Sequence, residues 1–377
     1  MKIFNKNEWK KVKLGDICEV LDSKRVPISE ENRIKGEYPY YGANGIQGYI
    51  NDYIFDEELV LLAEDGGNFG SKTKPIAYKI SGKTWVNNHA HVLKAKDEII
   101  STDFLLYSLM FYDVTKLITG TTRKKLTRAG MEKITLSIPT LSIQNKITDY
   151  LQKIESFISF RKHQLSFLKE LNKSLFTTMF GDPLLNDKKE WNFFKIKDIG
   201  KIISGSTPST NILEYWNGEH LWITPAELND NSFVVSSTER KLTYLGVKAS
   251  SLIELPIGTV LLSSRAPIGK VAIVGEKMFC NQGFKNIIPN KELNSVYLYY
   301  ILKEKKEYLN FLGRGVTFKE LSKEIVENIS IKVPPIELQN KFAERIEKIE
   351  KLKFEIEKSI EIAQNLYDSL ISKYFDN

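Results

Sequence analysis

Residues 138–155 read IPTLSIQNKITDYLQKIE, and residues 333–350 read VPPIELQNKFAERIEKIE. The two tracts lie 195 positions apart, and the correspondence extends without a gap from Gly120/Gly315 to Phe180/Phe375. Thr122/Thr317, Leu126/Leu321, Glu132/Glu327, Pro139/Pro334, Leu171/Leu366 and Leu175/Leu370 are identical pairs along the way. A long unit present only twice is not a solenoid, which stacks three or more short repeats. It is a duplicated half-molecule, and two similar halves suggest a partner that also has two related halves.

Within the repeat, the apolar positions fall alternately three and four apart, which predicts long helices. In the first copy they are Ile147, Leu151, Ile154, Ile158, Leu165, Leu168, Leu175 and Met179, with polar Arg161 and Asn172 in the same series. In the second they are Phe342, Ile346, Ile349, Ile356, Ile360, Tyr367, Leu370 and Tyr374, with Lys353 and Ala363 as weak positions. Pro139 precedes the first helix, and Gly181 followed by Pro183 ends it. A rod of some 36 residues is about 54 Å long. A solitary helix would leave its stripe in water, so the two are expected to pack on each other. An antiparallel pair would place the domain that precedes each helix at opposite ends.

Outside the helices the pattern changes. Short apolar runs such as Leu59-Val60-Leu61-Leu62-Ala63 are bounded by turn signals such as Asn44-Gly45 and Asp65-Gly66-Gly67. Helices are expected at about 102–118 and 296–309. WNFFKIKDI (191–199) answers WKKVKLGDI (9–17), Val260-Leu261-Leu262-Ser263 answers Val60-Leu61-Leu62-Ala63, and Asn281-Gln282 answers Asn87-Asn88. The fold class is therefore α+β. Two mixed, strand-rich domains (1–140 and 183–335) are separated by two long helices (141–182 and 336–377) packed as an antiparallel coiled coil, with a pseudo-two-fold duplication.

The composition bounds the function. A chain of 377 residues with 42% hydrophobic and 27% charged residues fits a globular protein with two sizeable cores. No apolar run reaches the roughly 18 residues of a membrane span, and the N-terminus lacks the apolar core of a signal peptide, so a cytoplasmic protein is expected. Two cysteines, Cys18 and Cys280, make no disulfide framework. A net charge of +7 is compatible with nucleic acid without requiring it.

Several catalytic signatures occur only in fragments. Phe311-Leu312-Gly313-Arg314-Gly315 fits an F-x-G-x-G loop for S-adenosylmethionine, and Pro334-Pro335 follows. An adenine methyltransferase needs Asn or Asp before the prolines and an aromatic after them, whereas Val333 and Ile336 stand there. Gly82-Lys83-Thr84 ends like a phosphate loop, but Ala77 occupies the first glycine position. His89 and His91 have no third ligand at suitable spacing nearby and read as polar loop or DNA-facing residues. Glu64-Asp65 before Lys72 is a loose echo of a nuclease centre that unrelated acidic loops often give.

The more suggestive features are polar and basic loops at matching places in both halves. Thr121, Thr122, Arg123, Lys124 and Lys125 align with a loop containing Arg314, Thr317 and Lys319. Hydroxyls, glycine amides and cationic side chains are what phosphate contact uses. Tyr40, Tyr41, Asn44, Lys72 and Lys74 in the first half, and Ser206, Thr207, Arg265 and Lys270 in the second, complete the candidate DNA-binding set.

On these residues the chain resembles the specificity subunits of Type I restriction-modification systems. The resemblance covers essentially the whole chain: two variable domains, each closed by a helical repeat of the form I-P-x-x-x-x-Q-N-K, with Val333 in place of the isoleucine in the second copy. The tract Tyr40-Tyr41-Gly42-Ala43-Asn44-Gly45-Ile46-Gln47-Gly48-Tyr49 is similar to a common type of target-recognition domain, and 119–126 and 315–321 resemble its G-x-x-x-x-x-L loop. The resemblance implies a subunit without catalysis or cofactor of its own, which binds double-stranded DNA and two modification subunits, with restriction subunits as further partners. Each domain would read half of a bipartite asymmetric target, and the helices would set the spacer. The rival readings are an N6-adenine DNA methyltransferase using the Phe311 loop, and a coiled-coil interaction protein that binds no DNA.

Overall fold

The computed structural model describes residues 4–120, 124–181, 191–313 and 320–376. The chain divides into two compact units, Met1–His163 with Glu357–Asn377, and Gln164–Ile356. Each long helix therefore contributes residues to both units. The central helix runs Leu141–Phe180 and the C-terminal helix Ile336–Phe375. At 40 residues each they are about 60 Å long.

In the first unit, one sheet takes the strand order Cys18–Val20, Ala90–Ala95, Leu59–Ala63, Ala77–Ile80, antiparallel throughout. Leu59–Ala63 is buried along its whole length, which explains its unbroken apolar run: both faces of this central strand are covered. A second sheet holds Gly45–Ile50, Tyr38–Gly42, Lys83–Val86 and Phe55–Asp56, with the middle pair parallel. A ribbon of Lys10–Lys13 against Thr135–Ile138 leads into the central helix. The expected helix at 102–118 is shorter, Thr102–Met110, and Asp113 accepts from the Thr115 N–H in the turn beyond it.

The second unit repeats this plan. Its larger sheet is ordered Gly200–Ser204, Lys285–Pro289, Val260–Leu262, Val271–Val274, with Val234–Val235 added at the edge. Trp216–Ile223 pairs in parallel with Phe279–Cys280, as Tyr38–Gly42 does with Lys83–Val86. Phe193–Lys195 and Ser330–Lys332 form the matching ribbon. The helix expected at 296–309 is two helices, Ser295–Glu304 and Lys306–Leu312, broken at Lys305. Burial pushes the Cys18 and Cys280 thiols up to about 12, so neither is a ready nucleophile.

The heptad positions are all buried or half-buried, and the partners run antiparallel within each unit. In the first unit Ile147 and Leu151 share a core with Leu370 and Tyr374, while Glu155 accepts from the Tyr367 hydroxyl at 2.7 Å. In the second, Phe176 and Phe180 pack against Phe342, and Asn172 donates to Glu350 at 2.8 Å. Lys353 also pairs with Glu350, at 2.7 Å, so two of the weak heptad positions answer each other through one carboxylate. Such a buried polar contact tolerates few alternative registers.

The repeated Gln-Asn-Lys has a clear structural meaning. Gln144 has no solvent exposure; its Oε1 accepts from the Ser101 N–H, and its Nε2 donates to the Ile99 and Pro139 carbonyls. Gln339 is equally buried and makes the same three bonds, to Asn294, Glu292 and Pro334. Ser101 and Asn294 are themselves N-caps of short helices, so each amide fastens a long helix to the start of a short one. Replacing Gln339 by Ala strands one N–H and two carbonyls, and is expected to lower unfolding free energy by about 2–4 kcal/mol in urea titrations. A change under roughly 0.5 kcal/mol would show that water replaces the amide at no cost.

Candidate nucleic-acid interface

The two units build the same loop junction with different side chains. In the first, the Glu64 N–H donates to the His89 carbonyl, and the Leu126 N–H donates to the Glu64 carbonyl. In the second, Ser264 donates to Gly283 and accepts from Leu321 in the same way. Asn87 and Asn281 also correspond: each side chain accepts a backbone N–H two residues on, at 2.8 and 2.9 Å. Their own N–H groups donate to Tyr41 and Ile223, equivalent strand ends. The Asn87-Asn88 to Asn281-Gln282 correspondence read from sequence therefore holds in space.

In the first unit this junction is a network of charges, buried except at Lys125 on its rim. Arg25 Nη1 meets Glu64 Oε2 at 2.6 Å, Lys125 Nζ meets Glu64 Oε1 at 2.8 Å, and His91 Nδ1 meets Asp22 Oδ2 at 2.6 Å. His91 Nε2 also lies 2.8 Å from the Leu126 carbonyl, tying the ring to the loop ahead of it. Burial alone would raise the Asp22 carboxyl, but the bond from His91, the Val92 N–H and the Arg25 charge hold it below the usual carboxylate range. Glu64 is likewise held low, its burial overcome by the bonds from Lys125 and Arg25. Ligand atoms of Asp22, Glu64 and His91 lie within 4.8 Å of one another, as a metal site requires. Arg25 and Lys125, however, already supply the cations that balance these carboxylates.

The second unit carries a smaller network at the equivalent place. Glu320 is held on both oxygens, by Lys285 Nζ at 3.4 Å on Oε1 and by Arg265 Nε at 3.2 Å on Oε2. Arg265 and Glu320 also form a backbone bridge, as Asp65 and Lys125 do in the first unit.

The candidate residues from sequence fall into three groups. Lys72, Lys74 and Lys124 are exposed, as phosphate contacts must be. Asn44 is exposed and joins two loops, donating to the Gly66 carbonyl and accepting from Asn68. Ser206 and Thr207 are half-buried, Thr207 donating to Gln282 at 2.5 Å. Tyr41 is half-buried with its ring against Tyr78. Others are committed internally. Tyr40 is corrected from a DNA contact to a core residue: it is 1% exposed, its hydroxyl bonds both backbone groups of Ile28, and Arg33 lies over its ring. Lys125 pairs with Glu64, and Lys270 Nζ donates to the Pro225 and Leu228 carbonyls, so these two ammonium groups act first as struts. Thr121, Thr122, Arg123, Arg314, Thr317 and Lys319 lie outside the described residues. Asp22, Arg25, Lys285 and Glu320 were not among the sequence candidates. The one signal for the last was its alignment, with opposite charge, on Lys125.

The catalytic fragments have structural explanations. Pro334 is buried and its carbonyl accepts from Gln339, so the proline pair starts the C-terminal helix. Phe311 is 62% exposed on the helix Lys306–Leu312. Gly82 takes a positive φ of 69° in the turn ahead of Lys83–Val86, which accounts for the glycine there.

This duplicated architecture has close counterparts among known proteins. Residues 6–170 and 188–364 match the family described as Type I restriction modification DNA specificity domain. The chain belongs to this family. The Type I restriction enzyme MjaIX specificity subunit of Methanocaldococcus jannaschii is 43% identical over 190 residues, 50% of this chain and 44% of that one, so the match spans less than half of that relative. The MjaVIII specificity subunit of the same organism is 23% identical over 92% of this chain and 87% of its own. Among solved structures, the S subunit of a Type I restriction-modification system from M. genitalium superposes with a TM-score of 0.70 over 100% of this chain and 98% of that one. At 13% identity that likeness is one of fold. No helix among the described residues is long and apolar enough to cross a membrane.

Within this specificity-domain fold, the junction makes stability depend on acid pH. Asp22 and Glu64 bind protons more weakly when folded than when unfolded, so their stabilisation is present above the unfolded carboxylate range of about pH 4 and is lost progressively as pH falls below it through their lower folded values. Glu64→Gln should flatten this acid limb when denaturant midpoints are measured from about pH 3 to 7. An acid limb identical to that of the unsubstituted protein would show that Glu64 does not carry it.

Proposed function

We propose that this chain is the DNA-recognition subunit of a Type I restriction-modification assembly, each strand-rich domain reading one half of a bipartite, asymmetric double-stranded target. The observation that carries this reading is the pair of units with one strand order and one loop junction but different side chains at that junction. A shared frame suits the common geometry of DNA backbones, and divergent side chains suit two different half-sites.

The exposed lysines Lys72, Lys74 and Lys124 are placed in the phosphate-contacting role. The helices fix the distance between half-sites and hence the spacer. They also dock two modification subunits, which supply the methyl-transfer chemistry and its cofactor; this chain contributes neither. Both units leave apolar side chains uncovered on the helices, among them Phe160 at 60%, Phe167 at 68%, Phe354 at 66% and Ile362 at 61%. Exposed apolar surface of this kind marks a protein contact, and partner helices are the natural occupants. Restriction subunits join the same assembly.

Exchange of residues 1–140 for the corresponding domain of a related subunit should change one half-site and keep the other half and the spacer, read by mapping methylated adenines. If both halves changed together, the assignment of one domain to each half-site would be wrong. Replacing Lys72, Lys74 and Lys124 by Ala should weaken binding to all sequences alike. The salt dependence should become shallower by about 0.9 log unit for each phosphate that is no longer neutralised. An unaltered slope in filter binding with the modification subunits would remove these residues from the phosphate-contacting set.

A further inference from the structure

The two junctions differ in a systematic way. Bridged positions 65 and 125 in the first unit carry Asp and Lys, whereas the equivalent bridged positions 265 and 320 carry Arg and Glu. The sign of charge is inverted at both places while the backbone bridge is retained. Phosphates are alike in every half-site, so a position that touches phosphate keeps a positive group in both domains. Base edges differ between half-sites, and a position that reads them is free to invert.

Resting on the reading of this chain as a DNA-recognition subunit, we propose that Arg265 is a specificity-determining residue that reads a guanine in the major groove of the half-site bound by the second domain. The geometry around Arg265 is that of a directed reader. Its Nε is committed to Glu320 Oε2 at 3.2 Å, while Glu320 Oε1 is held by Lys285, itself only 8% exposed. The Arg265 side chain remains 50% exposed, and its two Nη groups have no hydrogen-bond partner among the described residues. Those Nη groups offer a parallel pair of donors, the arrangement that matches the O6 and N7 acceptors of guanine. No other base presents two acceptors side by side on that edge.

The carboxylate beside Arg265 also argues against a phosphate role. Glu320 compensates the guanidinium charge and so weakens its long-range attraction to a polyanion, while fixing the direction of the fork. A buttress of this kind trades affinity for orientation, and orientation is what base readout requires. A lysine in its place would carry the charge without the planar fork.

The test uses the full chain assembled with its modification subunits, with binding measured to a library randomised across both half-sites and methylated adenines mapped on genomic DNA. Arg265→Ala should relax one guanine position in one half-site by roughly ten- to a hundred-fold. The other positions, the spacer and the slope of affinity against salt should be unchanged. Arg265→Lys should fail to restore the guanine preference. Glu320→Gln, which keeps the side-chain shape, should weaken the same preference in part and leave the rest of the site intact. Thermal midpoints near that of the unsubstituted complex would exclude misfolding, which an exposed position makes easy to satisfy.

Uniform weakening on all sequences with a shallower salt slope would overturn the proposal and make Arg265 a phosphate contact. An unaltered base preference, or a half-site without guanine, would overturn it equally. If the unsubstituted complex showed no sequence-specific binding at all, the DNA-recognition reading itself would fail, an outcome distinct from the failure of this one assignment.

Discussion

A side-chain amide with no solvent exposure, Gln144 in one unit and Gln339 in the other, fixes how each long helix leaves its sheet domain. Its carbonyl takes the N–H of a short helix's N-cap, and its NH2 holds one carbonyl just ahead of that cap and one in the chain entering the long helix. The heptad stripe can meet its partner only if the helix starts at that angle. Beside each amide lies an aromatic cluster within the same unit, Phe180 with Phe342 and Tyr297 in the second and Phe375 with Phe104 and Tyr107 in the first. One polar residue thus governs a largely apolar assembly, because a buried amide left unpaired forfeits its full desolvation penalty with nothing to offset it.

The helices and the duplication were legible because their signal is local and periodic: Ile147, Leu151, Ile158 and Phe342, Ile346, Ile356 fall where a buried stripe must fall, and all are buried. The ends of the shorter helices were less legible. The segment after Met110 and the break at Lys305 contain no Gly or Pro to announce them. In the candidate interface, exposed lysines could be picked out by charge alone, since a solvated cation on a turn needs no particular neighbour. Tyr40 and Tyr41 could not be told apart, because successive strand residues face opposite ways and nothing nearby says which face is covered. The charge network was hidden for a different reason. His91 meets Asp22 across 69 positions, and Lys125 meets Glu64 across 61, so adjacency arises only when the strands pair.

The two junctions show how one frame accommodates two chemistries. Backbone bonds at Glu64 and Ser264 are the same, so the loops are aimed alike, while the side chains alter charge, size and burial. In the first unit the carboxylates are sealed by Arg25, Lys125 and His91, and rigidity comes from ion pairing in a partly dry setting. In the second, Ser264 stands where Glu64 does, Lys285 is the buried cation, and a single carboxylate, Glu320, organises the charges. Divergence confined to side chains on a constant backbone lets recognition change while the scaffold keeps its stability.

The aromatic cluster that closes the first unit contains Trp9 and Phe104 from the start of the chain and Tyr374 and Phe375 from its end. During synthesis the first domain therefore emerges with one wall of its core missing. At about 5–20 residues per second, the roughly 200 residues that intervene occupy the ribosome for some 10–40 s before that wall arrives. The second unit, whose residues are contiguous from Gln164 to Ile356, is complete sooner after its own emergence. The order of closure thus runs against the order of translation, and the rings of the nascent first domain stay uncovered until the C-terminal helix arrives.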